Sequence, residues 1–195
     1  MASDRALPVV LLDANLLYPF HLRNLLIQFG VERLFAARWT AAIHEEWIGN
    51  LVADGRATRE RLMRTLGIMR RVLPTADVFG FEHRIEGLDL PDTGDRHVLA
   101  AAIEAGASVL LTFNLADFPR AILAPFGVAA RDPDGFLCEL HADNPEAVEA
   151  AVDASRLNLR LTAPDMDEFI EILGRQRLTA FAARLRVADR DRAGL

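Results

Sequence analysis

Acidic side chains follow two apolar runs that have the composition of buried parallel strands. Asp13 comes directly after Val9-Val10-Leu11-Leu12, and Asp117 lies in the loop after the run that ends at Thr112. A third acid, Asp95, lies in the first turn of the helix that precedes this second run. Ligands gather outside the carboxyl ends of parallel strands, so these acids are candidates for one site. Clustered carboxylates repel one another unless a cation neutralises them, and Mg²⁺ and Mn²⁺ prefer oxygen ligands.

Each of these acids also has an ordinary structural interpretation. Asp13 could simply turn the chain after a strand. Asp92 and Asp95 are three residues apart at a helix start, where capping and the helix dipole favour acids. The residue types alone therefore leave a structural and a catalytic role open for each position.

A further acid is expected on the helix that begins after Thr40. Its apolar residues Ile43, Trp47 and Leu51 repeat every four positions and predict the buried face. At 100° per residue, Glu46 lies nearer the edge of this face than Glu45 does. We therefore favour Glu46 as the acid that reaches inward, with Glu45 as the alternative.

The histidines and the cysteine favour neither zinc nor thiol chemistry. His21 and His44 have no partners at metal-ligand spacing, which disfavours zinc. His97, two residues after Asp95, could touch a substrate, but a histidine on a partly exposed helix is more often incidental. Cys138 is the single cysteine and reads as a small buried hydrophobic residue.

The composition predicts a globular protein of a reducing compartment. The chain has 195 residues, of which 51% are hydrophobic, and a net charge of -6. One cysteine allows no internal disulfide, and neither a membrane-spanning run nor a secretion signal is evident, so we expect a cytoplasmic protein without a membrane segment. The acidic charge argues against an extended basic surface for nucleic acid, although all 22 basic residues are arginine.

Strand-like and helix-like segments alternate along the first part of the chain. This alternation predicts an α/β fold with a central parallel sheet and helices on both faces, a three-layer α/β/α arrangement. From Asn144 onward only helical patterns follow, so we divide the chain into residues 1–140 and a C-terminal helical extension, 141–195, packed on the same domain. The expected strands are 9–12, 35–39, 76–81, 108–112 and 127–131, and the expected helices include 20–29, 57–72, 164–173 and 179–187.

Four motifs together resemble those of bacterial PIN domains, across roughly residues 7–140. They are Asp13-x-Asn15, the Arg-Trp-Thr…Glu-Glu-Trp segment at 38–47, Pro-Asp-x-Gly-Asp-Arg-His-Val-Leu-Ala-Ala-Ala at 91–102, and Leu-Leu-Thr-Phe-Asn-Leu-Ala-Asp-Phe-Pro at 110–119. Their order and spacing are those of the family. The resemblance is strongest to the toxin components of type II toxin–antitoxin modules.

This resemblance implies a Mg²⁺- or Mn²⁺-dependent endoribonuclease that hydrolyses RNA phosphodiester bonds. Asp13 matches the first acid of the family, Glu46 the second and Asp95 the third. Asn15 and Thr112 match polar residues that support the site. The resemblance also implies an RNA substrate, an antitoxin protein as partner and a homodimer.

The fourth acid is where the sequence departs from the family pattern. Asn114 stands where an aspartate is often found, and Asp117 follows three residues later. Either Asp117 replaces the missing carboxylate, or Asn114 offers a carbonyl oxygen, or three acids suffice.

Two other functions remain open at this stage. A catalytically weak or inactive PIN domain could bind RNA or protein without cleavage, which Asn114 and the acidic net charge motivate. A phosphatase that uses a strand-end aspartate is less favoured, because such chemistry usually needs a second acid two residues on, where this chain has Asn15.

Overall fold

The core of the fold is a four-stranded parallel sheet with the order β2-β1-β3-β4. The computed structural model describes residues 7–193. All strand pairs are parallel and helices flank the sheet, so the predicted α/β class is confirmed. The strands are β1 (Val9–Leu12), β2 (Ala36–Arg38), β3 (Val109–Leu111) and β4 (Ala129–Arg131).

The strand order creates a topological switch point between β1 and β3. The chain leaves β1 toward β2 on one side, whereas β3 leads to β4 on the other side. β1 and β3 pair in the register Val10↔Val109 to Leu12↔Leu111. Their carboxyl ends therefore lie side by side, and in open parallel sheets this is where ligands bind.

The contacts within the chain define two compact units. The sheet unit comprises the residues up to Tyr18 and Phe35–Arg131, and the helical unit comprises Pro19–Leu34 and the residues from Asp132 onward. The α-helices of the sheet unit are α1 (Ala14–Leu17), α3 (Ala41–Ala53), α4 (Arg59–Val72), α5 (Arg96–Glu104) and α6 (Arg120–Leu123). Those of the helical unit are α2 (Phe20–Val31), α7 (Pro133–Asp143), α8 (Pro145–Leu157), α9 (Met166–Arg175) and α10 (Thr179–Ala193).

Helix α3 forms as its sequence predicts. The hydroxyl of Thr40 accepts a hydrogen bond of 3.1 Å from the Ile43 amide and so caps the first turn. Ile43, Trp47 and Leu51 are all buried, which confirms the predicted apolar face. This packing fixes the rotation of the helix and therefore the directions of Glu45 and Glu46.

In the helical unit, the helices α8 and α9 begin with side-chain caps. Asn144 caps α8 through a bond of 3.3 Å to the Ala147 amide, with Pro145 in the first turn. Asp165 and Glu168 form a reciprocal capping box at the start of α9. The unit has large buried side chains that include Phe29, Phe169 and Phe181, and its predicted buried cysteine, Cys138, is 9% exposed.

The structure corrects one expected element and adds one that was not expected. Residues 76–81 do not form a strand: a single bridge joins Trp39 to Asp77, and Gly80 then adopts a positive φ of 76° that ends the extended conformation. Helix α7 was not expected. Its start, Asp132 followed by Pro133, has the pattern of a capped helix with proline in the first turn.

The predicted domains, 1–140 and 141–195, stay a prediction, as does the packing of the second on the first. Their first six and last two residues lie outside the described part of the chain. Within the described residues, no helix is long and apolar enough to cross a membrane.

Candidate active site

Asp13 is a buried carboxylate at the carboxyl end of β1. Its side chain is only 5% exposed, and its Oδ1 accepts a bond of 2.6 Å from the Ala14 amide, which caps α1. Its own amide donates to the carbonyl of Leu111 at 3.1 Å, so the sheet pairing with β3 holds the residue in place. Burial raises the pKa of Asp13 above its ordinary value, and the hydrogen bonds only partly offset this effect.

A hydrogen-bond network ties Asp13 to the end of β3. The Thr112 hydroxyl donates to Asp13 Oδ2 at 2.6 Å, and Asn15 Nδ2 donates to the same oxygen at 2.7 Å. Asn15 Nδ2 also donates to Thr112 Oγ1 at 3.0 Å. The three side chains thus form a closed triangle that fixes the direction of the Asp13 carboxylate.

Asp95 is the last residue of the short 3₁₀ turn Thr93–Asp95, which leads directly into α5. Its pKa is raised to about 6, first by burial and then by the negative charges of Asp13, Asp92, Asp117 and Glu46. Asp92 itself is exposed and caps the turn through a bond of 2.7 Å to the Gly94 amide. Asp92 therefore has a structural bond of its own, whereas Asp95 faces several like charges.

The two neighbouring glutamates of α3 take different directions. Glu45 is exposed and forms an ion pair with Arg59 of α4. Glu46 is also exposed, yet its pKa is raised, first by desolvation and then by the charge of Asp13. Glu46 thus interacts electrostatically with the buried Asp13.

The loop after β3 contains Asn114 and Asp117 at the two ends of a 3₁₀ turn. The amide of Asn114 donates to Thr112 Oγ1 at 3.0 Å, and its side chain is exposed. Asp117 is partly buried, and its charge raises the pKa values of Asp13 and Asp95. The loop thus brings the Asp117 carboxylate toward the other acids.

Four carboxylates from different parts of the sheet unit therefore act on one another. Asp13 follows β1, Glu46 lies on α3, Asp95 precedes α5 and Asp117 follows β3. Burial and the repulsion from neighbouring acids both oppose the ionisation of Asp13, Glu46 and Asp95. Such an arrangement destabilises the metal-free protein at neutral pH and favours the binding of a cation.

His97 belongs to the same surroundings, although its sequence position suggested an incidental residue. Burial lowers the pKa of His97, and the charge of Asp13 partly offsets this shift. The ring atom Nδ1 is buried and has no hydrogen-bond partner. The signal in the sequence was the Asp95-x-His97 spacing, but its proximity to Asp13 depends on long-range pairing that spacing alone does not show.

The donor chemistry of the four acids fits a hydrated Mg²⁺ or Mn²⁺ ion. Among residues 7–193, no three His, Cys, Asp or Glu side chains stand ready as a complete set of direct ligands. Mg²⁺ keeps several waters and commonly binds through one or two carboxylates, so direct contact with three is not required.

Two comparisons with known proteins find similarity to this chain. The family described as the VapC50 C-terminal domain matches residues 133–187. A protein of Mycobacterium tuberculosis (strain ATCC 25618 / H37Rv), named "Putative ribonuclease VapC50", is 35% identical over 115 residues. This chain is similar to VapC50. The resemblance to PIN-type toxins that its motifs indicated is thereby confirmed.

The likeness to VapC50 does not extend over either chain in full. The aligned region covers 58% of this chain and 66% of the relative, slightly less than two thirds of its length. The matched C-terminal domain lies within the helical unit, from the start of α7 into α10. No solved structure matches this chain.

Proposed function

We propose that this VapC50-like protein is a divalent-metal-dependent endoribonuclease that hydrolyses RNA phosphodiester bonds. The observation that carries the proposal is the electrostatic coupling of Asp13, Glu46, Asp95 and Asp117 at the switch point of the sheet. The name of the relative from Mycobacterium tuberculosis, "Putative ribonuclease VapC50", supports the same activity.

In this proposal, Asp13, Glu46, Asp95 and Asp117 hold Mg²⁺ or Mn²⁺. The bound ion would polarise a phosphoryl oxygen and lower the pKa of a water. Thr112 and Asn15 keep the Asp13 carboxylate in one orientation through their bonds to Oδ2. The protein itself needs no nucleophilic side chain, because a water can attack the phosphorus.

Asp117 is our candidate for the fourth acid. Its charge acts on both Asp13 and Asp95, which is what a carboxylate of the same site does. Asn114 could still offer its carbonyl oxygen to a bound water from the exposed end of the turn. We assign Asn114 the weaker role because an amide contributes no charge to hold a cation.

Cleavage of RNA by the full chain tests the proposal. Labelled single-stranded RNA is incubated with the protein and Mn²⁺ or Mg²⁺, with and without EDTA, beside Asp13→Asn and Asp95→Asn. We expect cleavage that EDTA abolishes and that either substitution lowers by orders of magnitude, because the acids position the ion jointly. Absence of cleavage, or cleavage that survives both substitutions, would reject the proposal.

A non-cleaving PIN domain that binds RNA or protein is the second candidate. It is favoured by the absence, among residues 7–193, of a complete set of direct metal ligands. In the same assay, this second candidate predicts that the protein binds RNA but forms no cleavage products with either Mg²⁺ or Mn²⁺. The concentration of acids argues against it, since a binding module for a polyanion gains nothing from clustered carboxylates.

We further propose that the protein is a cytoplasmic toxin of a type II toxin–antitoxin pair, restrained by an antitoxin protein and assembled as a homodimer. Induced expression in a bacterial host should arrest growth, whereas expression of Asp95→Asn should not. Size-exclusion chromatography with light scattering tests the dimer. Equal growth of both cultures at equal protein level would contradict the toxin role.

A further inference from the structure

Helix α4 carries an exposed stripe of arginines. Arg61, Arg64, Ile68 and Arg71 are spaced by three, four and three residues, so they share one face of the helix. All four are exposed, whereas Leu62, Leu66 and Met69 bury the opposite face. We refer to Arg61, Arg64 and Arg71 as the arginine stripe.

The arginine stripe is available for a partner. Neither Arg61 nor Arg71 forms an ion pair within the described residues. Arg64 has only the exposed pair with Glu60, whose side chain is 82% exposed, and such pairs contribute little free energy. The other arginines of the helix differ, because Arg59 is paired with Glu45 and Arg70 with Asp77.

An ion pair joins the beginning of α4 to α3, the helix that carries Glu46. The ion pair of Arg59 with Glu45 joins the first residue of α4 to the residue next to Glu46. The ten steps from Arg61 to Arg71 extend roughly 15 Å along the helix axis, the length of a few nucleotides. The stripe and the acids belong to the same sheet unit.

The charge of this helix is opposite to that of the chain. Helix α4 has five arginines and one acid, Glu60, whereas the whole chain has a net charge of -6. A local concentration of arginine in an acidic protein is the electrostatic pattern expected for a phosphate backbone. A protein partner that is itself acidic is the alternative occupant, and the comparison with poly-glutamate described below separates it from RNA.

We propose that the arginine stripe binds the phosphodiester backbone of single-stranded RNA and delivers it to the acids. This inference rests on the proposed ribonuclease function and adds the surface that holds the substrate. Arginine suits this role because its planar guanidinium donates two parallel hydrogen bonds to a phosphate. The net charge of -6 argued against binding of nucleic acid. The arginine stripe answers this objection, because a phosphate group interacts mainly with the charges nearest to it.

Binding measured without cleavage tests the stripe. Fluorescence anisotropy of a labelled, unstructured RNA oligonucleotide is recorded in EDTA for the full chain and for the triple variant Arg61→Gln, Arg64→Gln, Arg71→Gln. We expect the affinity to fall on the order of tenfold at low salt. The slope of log K against log salt should decrease by about 2, because each lost phosphate contact contributes about 0.7 for a single strand.

A second triple variant provides a control with the same change of charge. Arg160→Gln, Arg186→Gln and Arg190→Gln alter three exposed arginines of the helical unit that make no ion pair within the described residues. Affinity and salt slope should stay within about twofold of the unmodified protein, a margin that separates them from the effect expected of the stripe. Circular dichroism checks that both variants are folded. We expect that they are, because glutamine has a good helix propensity.

Three results would overturn the stripe as an RNA surface. They are equal affinity of the stripe variant and the unmodified protein, equal loss in both triple variants, and binding of poly-glutamate as tight as that of RNA. The proposed function fails separately, because it predicts metal-dependent cleavage whereas this experiment contains EDTA. If the protein does not cleave RNA but the stripe variant still binds RNA more weakly, the result supports the arginine stripe and rejects the proposed catalysis.

Discussion

At the residue scale, Asp95 shows how the site depends on pH. Its pKa is raised from 3.8 to about 6 in the folded protein, largely by burial and by the charge of Asp13. Between about pH 4 and 6 the folded protein therefore holds a proton that the unfolded chain has released. The contribution of Asp95 to the free energy of unfolding is therefore fully present below about pH 4 and is lost as the pH rises through 6 in metal-free solution.

Asp95→Asn should therefore stabilise the metal-free protein at pH 7.5. Because the carboxyl is partly exposed, we discount the effect to about 1 kcal/mol, or roughly 2–4 °C in Tm. Thermal unfolding in EDTA measures it, and the gain should vanish at pH 4. Asp89→Asn, at an exposed acid six residues earlier, is the control and should not shift Tm. An unchanged or lower Tm for Asp95→Asn at pH 7.5 would count against the repulsion.

Thr112 positions the Asp13 carboxylate without belonging to the acids. Thr112→Val removes the hydroxyl that donates to Asp13 and accepts from Asn15, at a cost of about 1–3 kcal/mol in unfolding free energy. It should also lower the cleavage rate, because Asp13 loses its fixed direction. Thr112→Ser keeps the hydroxyl and should retain most of the activity. Equal rates for the valine and serine variants would show that the bond does not matter.

The sequence predicted the positions of residues where local geometry decides, whereas the roles of the acids stay predictions. Strand composition located Asp13, and the apolar face of α3 favoured Glu46 over Glu45, which the structure pairs with Arg59. His97 received too little weight, because the interaction of His97 with Asp13 depends on which strands are neighbours. Local spacing contains no such information.

At the scale of the element, β1 and β3 were predictable because continuous apolar runs form buried parallel strands. The run at 76–81 misled us because alternating apolar residues do not ensure a partner strand. It makes one bridge through Trp39 and Asp77 and goes no further. The start of α7 was missed because Pro133 and Gly135 suggest a turn when Asp132 is not recognised as a cap.

Asp134 of α7 holds the first turn of α10. Its carboxylate accepts bonds of 2.9 and 2.8 Å from the amides of Ala180 and Phe181, and one of 3.3 Å from the Thr179 hydroxyl. Asp134→Ala should therefore lower the unfolding free energy by about 1–2 kcal/mol, as loss of a helix cap does. Chemical denaturation measures the change.

Asp143→Ala is the matched control for this prediction. Asp143 is an exposed acid at the end of the same helix and makes no side-chain hydrogen bond or ion pair among the described residues. Its substitution should change the unfolding free energy by less than about 0.5 kcal/mol. Equal effects of the two substitutions would contradict a capping role for Asp134.

At the scale of the whole molecule, the division into two units was only partly accessible from sequence. The switch to helices after the last strand indicated a separate helical part. That α2, near the start of the chain, belongs to the same unit as α8 could not be predicted, because it depends on long-range packing. One such contact is the bond of 2.7 Å from Asn24 to the carbonyl of Ser155.

The central claim is that carboxylates from separate elements form one metal-dependent site for RNA cleavage. Glu46 and Glu45 test it most directly, because they are neighbours on α3 with the same side chain and different surroundings. The measurement is the Mn²⁺-dependent cleavage rate of Glu46→Gln and Glu45→Gln under single-turnover conditions. We predict a loss on the order of 100-fold or more for Glu46→Gln and a nearly unchanged rate for Glu45→Gln. Equal rates for the two variants, or the larger loss for Glu45→Gln, would contradict the account.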